Sequence, residues 1–330
     1  MKPSTILPTA KSKYFCTGGL VLLTVLAVIS LFVGKYPLSM GRLICGDALQ
    51  WRVFLTLRLS RTLVGVIGGF TLGIAGFVYQ TVFRNPLASP DIIGVSSGAS
   101  AGAAVGILFL SGAASVTASA FSGALLAMTL VLGLSALDRS GKHQTIVLDG
   151  IAVHSLAQTA LMMLKLTADP EQELAAIEYW LMGSLNGISV YSIGGNLLLC
   201  VACVIGLFLL HRQILILSAE EGEARMMGVH VTQLRLVILF VSTLAVSSVV
   251  SLTGLISFVG LLAPHASRML TKSNKSTSML LSGLAGGCLL VAADLLARSA
   301  AATELPVSIF TSLVGAPFLV MLIIRGRRQA

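Results

Sequence analysis

The chain has 330 residues, of which 55% are hydrophobic and 11% are charged, and its mean hydropathy is +0.93. A soluble protein carries about 25% charged residues, so this composition excludes a water-exposed globular fold and indicates an integral membrane protein. The net charge of +9 is distributed over short breaks between apolar runs, without aromatic-flanked basic patches, so we expect membrane lipid and no nucleic acid as a partner.

Ten apolar runs predict ten transmembrane helices, because a hydrocarbon core of about 30 Å takes about 20 apolar residues to cross. The first run resembles a signal peptide in its lysine-rich approach, but no small-residue cleavage site follows it, so a retained span is predicted. The eighth run is short. The predicted spans are 18–34, 62–82, 92–110, 115–137, 144–166, 191–210, 235–252, 256–270, 279–297 and 306–324.

The distribution of basic residues predicts the orientation. With a cytoplasmic N-terminus, 15 of the 22 lysines and arginines fall in inner segments, as the positive-inside rule requires. This arrangement predicts a cytoplasmic N-terminal segment 1–17, a transmembrane domain 18–324, a basic cytoplasmic tail 325–330, and both termini in the cytoplasm. Five of the seven outer exceptions cluster between the first two spans: Lys35, Arg42, Arg52, Arg58 and Arg61.

No group of residues indicates catalysis. The C-x-x-C pair Cys200 and Cys203 could suggest redox chemistry, but it lies in the apolar run LLLCVACVIGLFLL, where a thiol acts as a small hydrophobic side chain. The histidines are scattered, neither a metal site nor a disulfide framework is indicated, and no G-x-x-x-x-G-K-[ST] phosphate loop is present. The sequence therefore predicts neither an enzyme nor a resident cofactor.

Two connecting segments carry helical signals. In the acidic outer segment 165–189, Asp169 is predicted to cap a short helix that has Pro170 at its first position and lies at the membrane surface. In the inner segment 211–236, Glu221 and Arg225 are spaced for one helix face, and Gly228 suits a C-terminal cap. This inner helix is either a solvated connector or a docking surface for a cytoplasmic partner.

Eight motifs, from about residue 50 to 325, resemble the FecCD-type permease subunits of binding-protein-dependent ABC importers for iron–siderophore, haem and cobalamin. The vitamin B12 importer permease belongs to this group. Any one motif is weak evidence, but their order is specific. They are RLSRTL (58–63), FRNPLASPD (83–91), IGVSSGA (93–99), WLMGSLNG (180–187), E-x-x-A-R-x-x-G-V (221–229), ISFVGLLAPH (256–265), ADLLAR (293–298) and ELPVSIFTSLVGAPF (304–318).

The resemblance implies an all-α, type II ABC importer permease in a bacterial inner or cell membrane. It implies a second permease subunit, identical or different, two cytoplasmic ATPase subunits that bind ATP and Mg, and an extracytoplasmic substrate-binding protein. The expected cargo is a ferric siderophore, with cobalamin or haem as the alternative. A secondary transporter is the rival class, and it would need membrane-embedded ionisable residues, for which only Asp149, His154 and Asp294 lie near the required depth.

The resemblance also implies roles for individual residues. Arg58, Arg61 and Arg298 match arginines that pair with glutamates of the binding protein, although Arg298 follows Asp294 by four residues and could pair within its helix instead. Ser60 stands where the family commonly has proline. The resemblance implies a cytoplasmic gate of Asn85, Leu87, His143 and Gln144, in which the last two stand where the family often has small hydroxyl residues. It also implies an ATPase-coupling set within the loop 211–234, which consists of Glu221, Ala224, Arg225, Met226 and Gly228.

Overall fold

The computed structural model describes residues 10–36, 38–110, 112–137, 143–188, 190–219, 230–272, 275–300 and 303–327, and these fold into helices and turns without a strand. Each predicted span overlaps one long helix, so the all-α membrane fold is confirmed. The long helices are α1 (Ala10–Phe32), α4 (Ser60–Val82), α5 (Val95–Phe109), α6 (Ala113–Leu137), α7 (His143–Thr167), α9 (Val190–Leu209), α11 (Val231–Thr253), α12 (Val259–Thr271), α13 (Ser276–Ser299) and α14 (Val307–Arg327).

Shorter elements connect these helices at both ends of the bundle. A π-helical turn at Phe54–Leu59 runs directly into α4, and a 3-10 turn at Pro90–Ile93 precedes α5. The short α-helices are α2 (Met40–Ile44), α3 (Ala48–Val53), α8 (Glu173–Leu181) and α10 (His211–Ile216).

The helices differ in their capacity to cross a membrane. Six described helical stretches are long and apolar enough to span, and α5, α9 and α14 contain shorter apolar stretches. Helix α12 has 13 residues with Pro264 inside it, so it reaches only about 20 Å at 1.5 Å per residue. The predicted eighth span is therefore a helix, but alone it is too short for a hydrocarbon core of about 30 Å.

Small residues bring two helix pairs into close contact. A Cβ added to Gly69 or Gly73 of α4 would lie 2.5 Å from the Gly286 carbonyl oxygen or 2.2 Å from that of Ser282, both on α13. Gly102 of α5 has the same relation to α6, since a Cβ there would lie 2.2 Å from the Ser119 carbonyl oxygen. Helices in lipid associate through close backbone approach of this kind, because the hydrophobic effect does not drive them together there and van der Waals packing does.

The outer helix α8 begins later than the sequence predicts. Asp169 accepts a hydrogen bond from the Glu171 backbone nitrogen (2.8 Å), and its own backbone nitrogen donates to the Glu173 carboxylate (2.9 Å). Residues 170–172 form a turn, and the helix starts at Glu173. The assignment of Asp169 as the N-cap was wrong, because its side chain stabilises the turn before the helix.

Candidate functional site

Two arginines hold one buried aspartate between α4 and α13, and a third arginine, Arg58, lines the same cavity. Arg61 donates from Nε to Oδ1 of Asp294 (2.7 Å), and Nη2 of Arg298 lies 3.0 Å from the other carboxylate oxygen. Arg61 also donates from Nη1 to Oε2 of Glu304 (2.8 Å). The Asp294 side chain is only 3% exposed, whereas that of Glu304 is 23% exposed. One carboxylate is thus sealed inside the cluster, and the other stands at its edge.

The same cluster holds the C-terminal end of α1. Arg298 donates from Nη1 to the carbonyl oxygens of Ser30 and Val33 (2.9 Å each), and Arg58 donates from Nη2 to that of Tyr36 (2.8 Å). Arg58 also donates to the Val33 carbonyl. The last carbonyls of a helix lack partners within the helix and carry its negative dipole end, so guanidinium groups stabilise them. The arginines therefore join α1 to α4 and α13.

A cavity of 170 Å³ opens beside these arginines. Its charged lining consists of Lys35, Arg58, Arg61, Arg298 and Glu304. Within the described part of the chain, each of the three arginines has one buried nitrogen without a hydrogen-bond acceptor: Nε of Arg58, Nη2 of Arg61 and Nε of Arg298. The cavity therefore has a cationic wall, which suits an anionic group, and the arginines that form it also hold buried nitrogens without acceptors.

The structure brings together all three arginines that the sequence analysis assigned to docking, but it does not expose them. Their exposed fractions are 5% for Arg58, 6% for Arg61 and 2% for Arg298. The pair of Arg298 with Asp294 within one helix, which the sequence left as an alternative, is formed. Burial follows because each guanidinium finds carboxylate or carbonyl partners inside the bundle. Docking itself stays a prediction.

Sequence reasoning missed Glu304 as a member of this site. Its signal was present: an acidic residue opens the motif ELPVSIF just after α13 ends, a few residues beyond Arg298. Arg61 and Glu304 are 243 residues apart in the sequence, so no local periodicity connects them.

The turn between α4 and α5, called the inner turn here because it is predicted to be cytoplasmic, is ordered by a side-chain hydrogen bond. Helix α4 ends at Val82, and Arg84 adopts a left-handed φ of 50°. Asn85 is exposed, and its side-chain oxygen accepts from the Leu87 backbone nitrogen (2.9 Å), which fixes the turn. Leu87 is 45% exposed. The amide and the leucine side chain are therefore presented at the end of the bundle.

The other two predicted gate residues begin a neighbouring helix at the same end. His143 and Gln144 are the first residues of α7; their side chains lie outside the described part of the structure. Helix α7 passes the inner turn further along, since a Cβ on Gly94 would lie 3.1 Å from the His154 backbone nitrogen. The segment before α5 therefore packs against the part of α7 around residues 150–154, and contact between the two predicted gate segments stays a prediction.

The predicted coupling residues Glu221, Ala224, Arg225, Met226 and Gly228 lie outside the described residues. The approach to this loop is described, and it contacts the inner turn. Arg84 donates from Nε to the carbonyl oxygen of Leu217 (3.3 Å) and from Nη2 to that of Ala219. The segment that enters the loop 211–234 is therefore tied to the turn that carries Asn85 and Leu87.

Helix α7 presents polar groups on an exposed face. Of the six described stretches able to span, it is the least apolar, and little of it is buried. Ser155 and Thr159 are exposed, and their hydroxyls donate to the carbonyl oxygens four residues earlier (2.9 Å each). Gln158 lies between them, partly exposed. The two hydroxyls are satisfied by these backbone carbonyls, and the Gln158 amide beside them adds a polar group that suits water or another protein surface.

An unwound segment separates α11 from α12 beside the outer helix α8. Gly254 has a left-handed φ of 70°, and a Cβ there would lie 2.1 Å from the Trp180 carbonyl oxygen. Phe258 has a φ of 67°, and its ring packs directly on Gly315 of α14. A cavity of 320 Å³ opens at this end, lined in part by Tyr179, Trp180 and Gly254.

The cysteines are consistent with the packing interpretation. Cys200 is fully buried and Cys203 is 6% exposed, in a helix that packs on α11. All five cysteines are free thiols. Among the described residues, no group of three or more histidines, cysteines and carboxylates could hold a metal ion.

Comparison with known proteins identifies the family. Residues 22–325 match the FecCD transport family. The chain is 36% identical to the hemin transport system permease protein HmuU of Yersinia pestis, an alignment that covers 94% of this chain and 95% of the relative. It is 38% identical to the cobalamin import system permease protein BtuC of Halobacterium salinarum, with 81% and 72% covered. The achromobactin transport system permease protein CbrC of Dickeya dadantii is 35% identical, with 93% and 91% covered.

Solved structures agree with this result. An inward-facing structure of a putative metal-chelate type ABC transporter superposes with a TM-score of 0.85 at 32% identity, covering 95% of this chain and 99% of that one. PsaBC from Streptococcus pneumoniae matches with a TM-score of 0.53 at 18% identity, which shows a shared fold only. The chain therefore belongs to the FecCD transport family and is a membrane-embedded ABC importer permease.

Proposed function

We propose that this permease carries a ferric siderophore across a bacterial inner or cell membrane. An extracytoplasmic binding protein delivers the cargo, and two separate ATPase subunits drive transport by hydrolysing ATP. The assignment of an iron chelate as the cargo is supported by the achromobactin permease, which is 35% identical over most of both chains. ATP and Mg belong to the ATPase partners in this proposal, and this chain contributes transport alone.

The polar face of α7 is the observation that carries the transport role. Ser155, Gln158 and Thr159 are spaced along one side of a helix that is little buried within the chain. In a pair of permeases, two such faces would enclose a water-filled route between them. The two faces would be identical in a homodimer. The neighbouring inner turn with Asn85 and Leu87 then closes the route on the cytoplasmic side, with the start of α7, His143 and Gln144, opposite.

Cobalamin and haem are the alternative cargoes, because relatives that transport hemin and cobalamin are as similar to the chain as the achromobactin permease is. A secondary transporter is disfavoured by the state of Asp294. Its two carboxylate oxygens are held by Arg61 and Arg298, so it is not available to bind and release a coupling ion.

Reconstituted transport tests the assignment. The permease, with its ATPases, is placed in proteoliposomes together with its binding protein, and ATP-dependent uptake is measured for a ferric hydroxamate siderophore, hemin and cobalamin. We expect uptake of the ferric siderophore only when ATP reaches the ATPase side. Uptake of hemin or cobalamin alone would transfer the assignment to that alternative, and uptake driven by an ion gradient without ATP would contradict an ABC mechanism.

A further inference from the structure

The cavity beside the outer arginines has an excess of positive charge at its wall. Lys35, Arg58, Arg61 and Arg298 line it, against the single carboxylate of Glu304. The second carboxylate of the cluster, Asp294, is 3% exposed and is clamped from both sides by guanidinium groups. Asp294 is therefore a permanent internal partner, and Glu304 is the only carboxylate lining the described cavity.

Arg61 contacts both carboxylates, the buried Asp294 and the partly exposed Glu304. Its Nε faces Asp294, its Nη1 faces Glu304, and its Nη2 is buried without an acceptor. The side chain is 7% exposed, whereas that of Glu304 is 23% exposed. A carboxylate entering from water would therefore meet Glu304 before Arg61, and the two negative charges would repel each other.

The linker that carries Glu304 is held by its backbone, independently of its side chain. The Leu305 nitrogen donates to the Ala297 carbonyl oxygen (3.1 Å), and the Val307 nitrogen donates to that of Gly183 (3.0 Å). Release of Glu304 from Arg61 therefore needs side-chain rotation and leaves these backbone hydrogen bonds intact. Glu304 is the more exposed partner of this pair, at 23% against 7% for Arg61, so its carboxylate can turn toward water while Arg61 keeps its hydrogen bond to Asp294.

We propose that this cavity binds one carboxylate from outside the chain and that Glu304 is its internal occupant, displaced when the external carboxylate binds. The inference rests on the proposed docking of a binding protein at Arg58, Arg61 and Arg298, and it adds a competitor within the permease itself. Arg61 is the one of the three arginines that pairs with Glu304 here, while Arg58 and Arg298 are held by carbonyls at the end of α1 and, for Arg298, by Asp294. Glu304 thus sets the affinity of the site by competing with the incoming group.

Acetate is the probe for the site itself. The full chain in lipid nanodiscs is unfolded by heat at increasing sodium acetate, with sodium chloride keeping the ionic strength constant, because a ligand of the native state raises the unfolding midpoint. We expect Glu304→Gln to lower the half-saturating acetate concentration about fivefold or more relative to wild type, since one competing ion pair is removed. Glu304→Asp, which keeps the charge, should stay near wild type.

Further variants protect the test against misfolding and identify the source of the carboxylate. Glu304→Ala should lower the half-saturating concentration as Glu304→Gln does, and Arg61→Gln should abolish the acetate response. Equal half-saturation in wild type, Glu304→Gln and Glu304→Ala would overturn the proposal.

In a second arm, the immobilised permease binds its purified binding protein. Tighter binding to Glu304→Gln supports a protein carboxylate as the occupant. If Glu304→Gln binds acetate more tightly but docks the binding protein as wild type does, the cavity binds a carboxylate in competition with Glu304, and the binding protein does not dock there.

Discussion

Gly76 of α4 and Gly260 of α12 are in direct backbone contact. A Cβ built on Gly76 would lie 1.7 Å from the Gly260 carbonyl oxygen and 2.5 Å from its carbonyl carbon. This contact seats the short helix α12 against α4. Gly260 follows the unwound segment 254–258 closely. The position of this segment therefore depends on the absence of a side chain at Gly76.

Gly76→Ala should destabilise the fold. The added methyl group meets backbone, which cannot rotate away, so a cost of about 1–3 kcal/mol or more is expected. The measurement is the thermal unfolding midpoint in nanodiscs. Gly133→Ala in α6 is the matched control, because its Cβ would meet nothing within 4 Å and alanine favours a helix. Equal midpoints for the two variants would contradict the close approach.

Asp294→Leu should be strongly destabilising. It leaves Arg61 and Arg298 buried without their carboxylate, and breaking a buried pair costs about 3–5 kcal/mol. Glu178→Gln is the control, since Glu178 pairs with Lys165 at 2.8 Å with side chains 47% and 26% exposed. Loss of that exposed pair should cost about 0–1 kcal/mol. A similar loss of stability in the two variants, measured by thermal unfolding, would show that Asp294 is not the centre of the cluster.

The sequence predicted the helices well because apolar length is a local signal. Each of the ten predicted spans overlaps a helix, although the helix at the eighth span, α12, is too short to cross a membrane alone. The arginine cluster was harder to predict. Proximity of Arg58, Arg61 and Arg298 followed from resemblance, but burial depends on partners such as the Val33 carbonyl, which no side-chain pattern reveals.

Local signals also misplaced one helix start. Asp169 followed by proline is typical of an N-cap, yet the Asp169 backbone nitrogen is held by the Glu173 carboxylate, and the helix begins there. Two local patterns overlapped: the Asp169 side chain accepts from the Glu171 backbone nitrogen within the turn, and the Glu173 carboxylate accepts from the Asp169 backbone nitrogen.

Arg58→Glu and Arg61→Glu should weaken docking of the binding protein. Both reverse a charge at the cavity, and a compensating reversal on the binding protein should restore part of the affinity. Association rates measured at low and high salt should show the loss shrinking as salt screens the charges. Arg42→Glu, an exposed arginine in α2 outside the cavity, should have little effect. Unchanged docking of both cavity variants at low salt would refute the assignment.

Cysteines at positions 85 and 87 should react with reagents applied from the cytoplasmic side. Asn85 and Leu87 are exposed in the inner turn, so both Asn85→Cys and Leu87→Cys should insert normally while leak or transport changes. Ala88→Cys is the control for accessibility, because Ala88 is 1% exposed in the same turn and should label poorly. Labelling of positions 85 and 87 only from outside would mean that the orientation is inverted.

Gly228→Val and Met226→Asp should uncouple transport from ATP hydrolysis without reducing the amount of protein in the membrane. Both positions lie outside the described residues, so the prediction rests on the helix signals of 221–228 and on the contacts of Arg84 with Leu217 and Ala219, which link the approach to this loop with the inner turn. A β-branched residue resists the left-handed φ expected of a glycine cap, at a cost of about 1–2 kcal/mol, which would misdirect a docking surface and leave the bundle folded.

The readouts for these two coupling variants are uptake, co-purification of the ATPase and its stimulated hydrolysis. Uptake should be lost, and ATPase binding or stimulation should weaken, since Met226→Asp places an unpaired charge in the contact. Gly133→Ala again serves as the control, because its Cβ would meet nothing within 4 Å and the variant leaves the loop sequence unchanged. Wild-type transport with a fully stimulated ATPase in both variants would make this segment a solvated connector. The contact of Arg84 with the carbonyls at 217 and 219 would then join the inner turn to a segment without a coupling role.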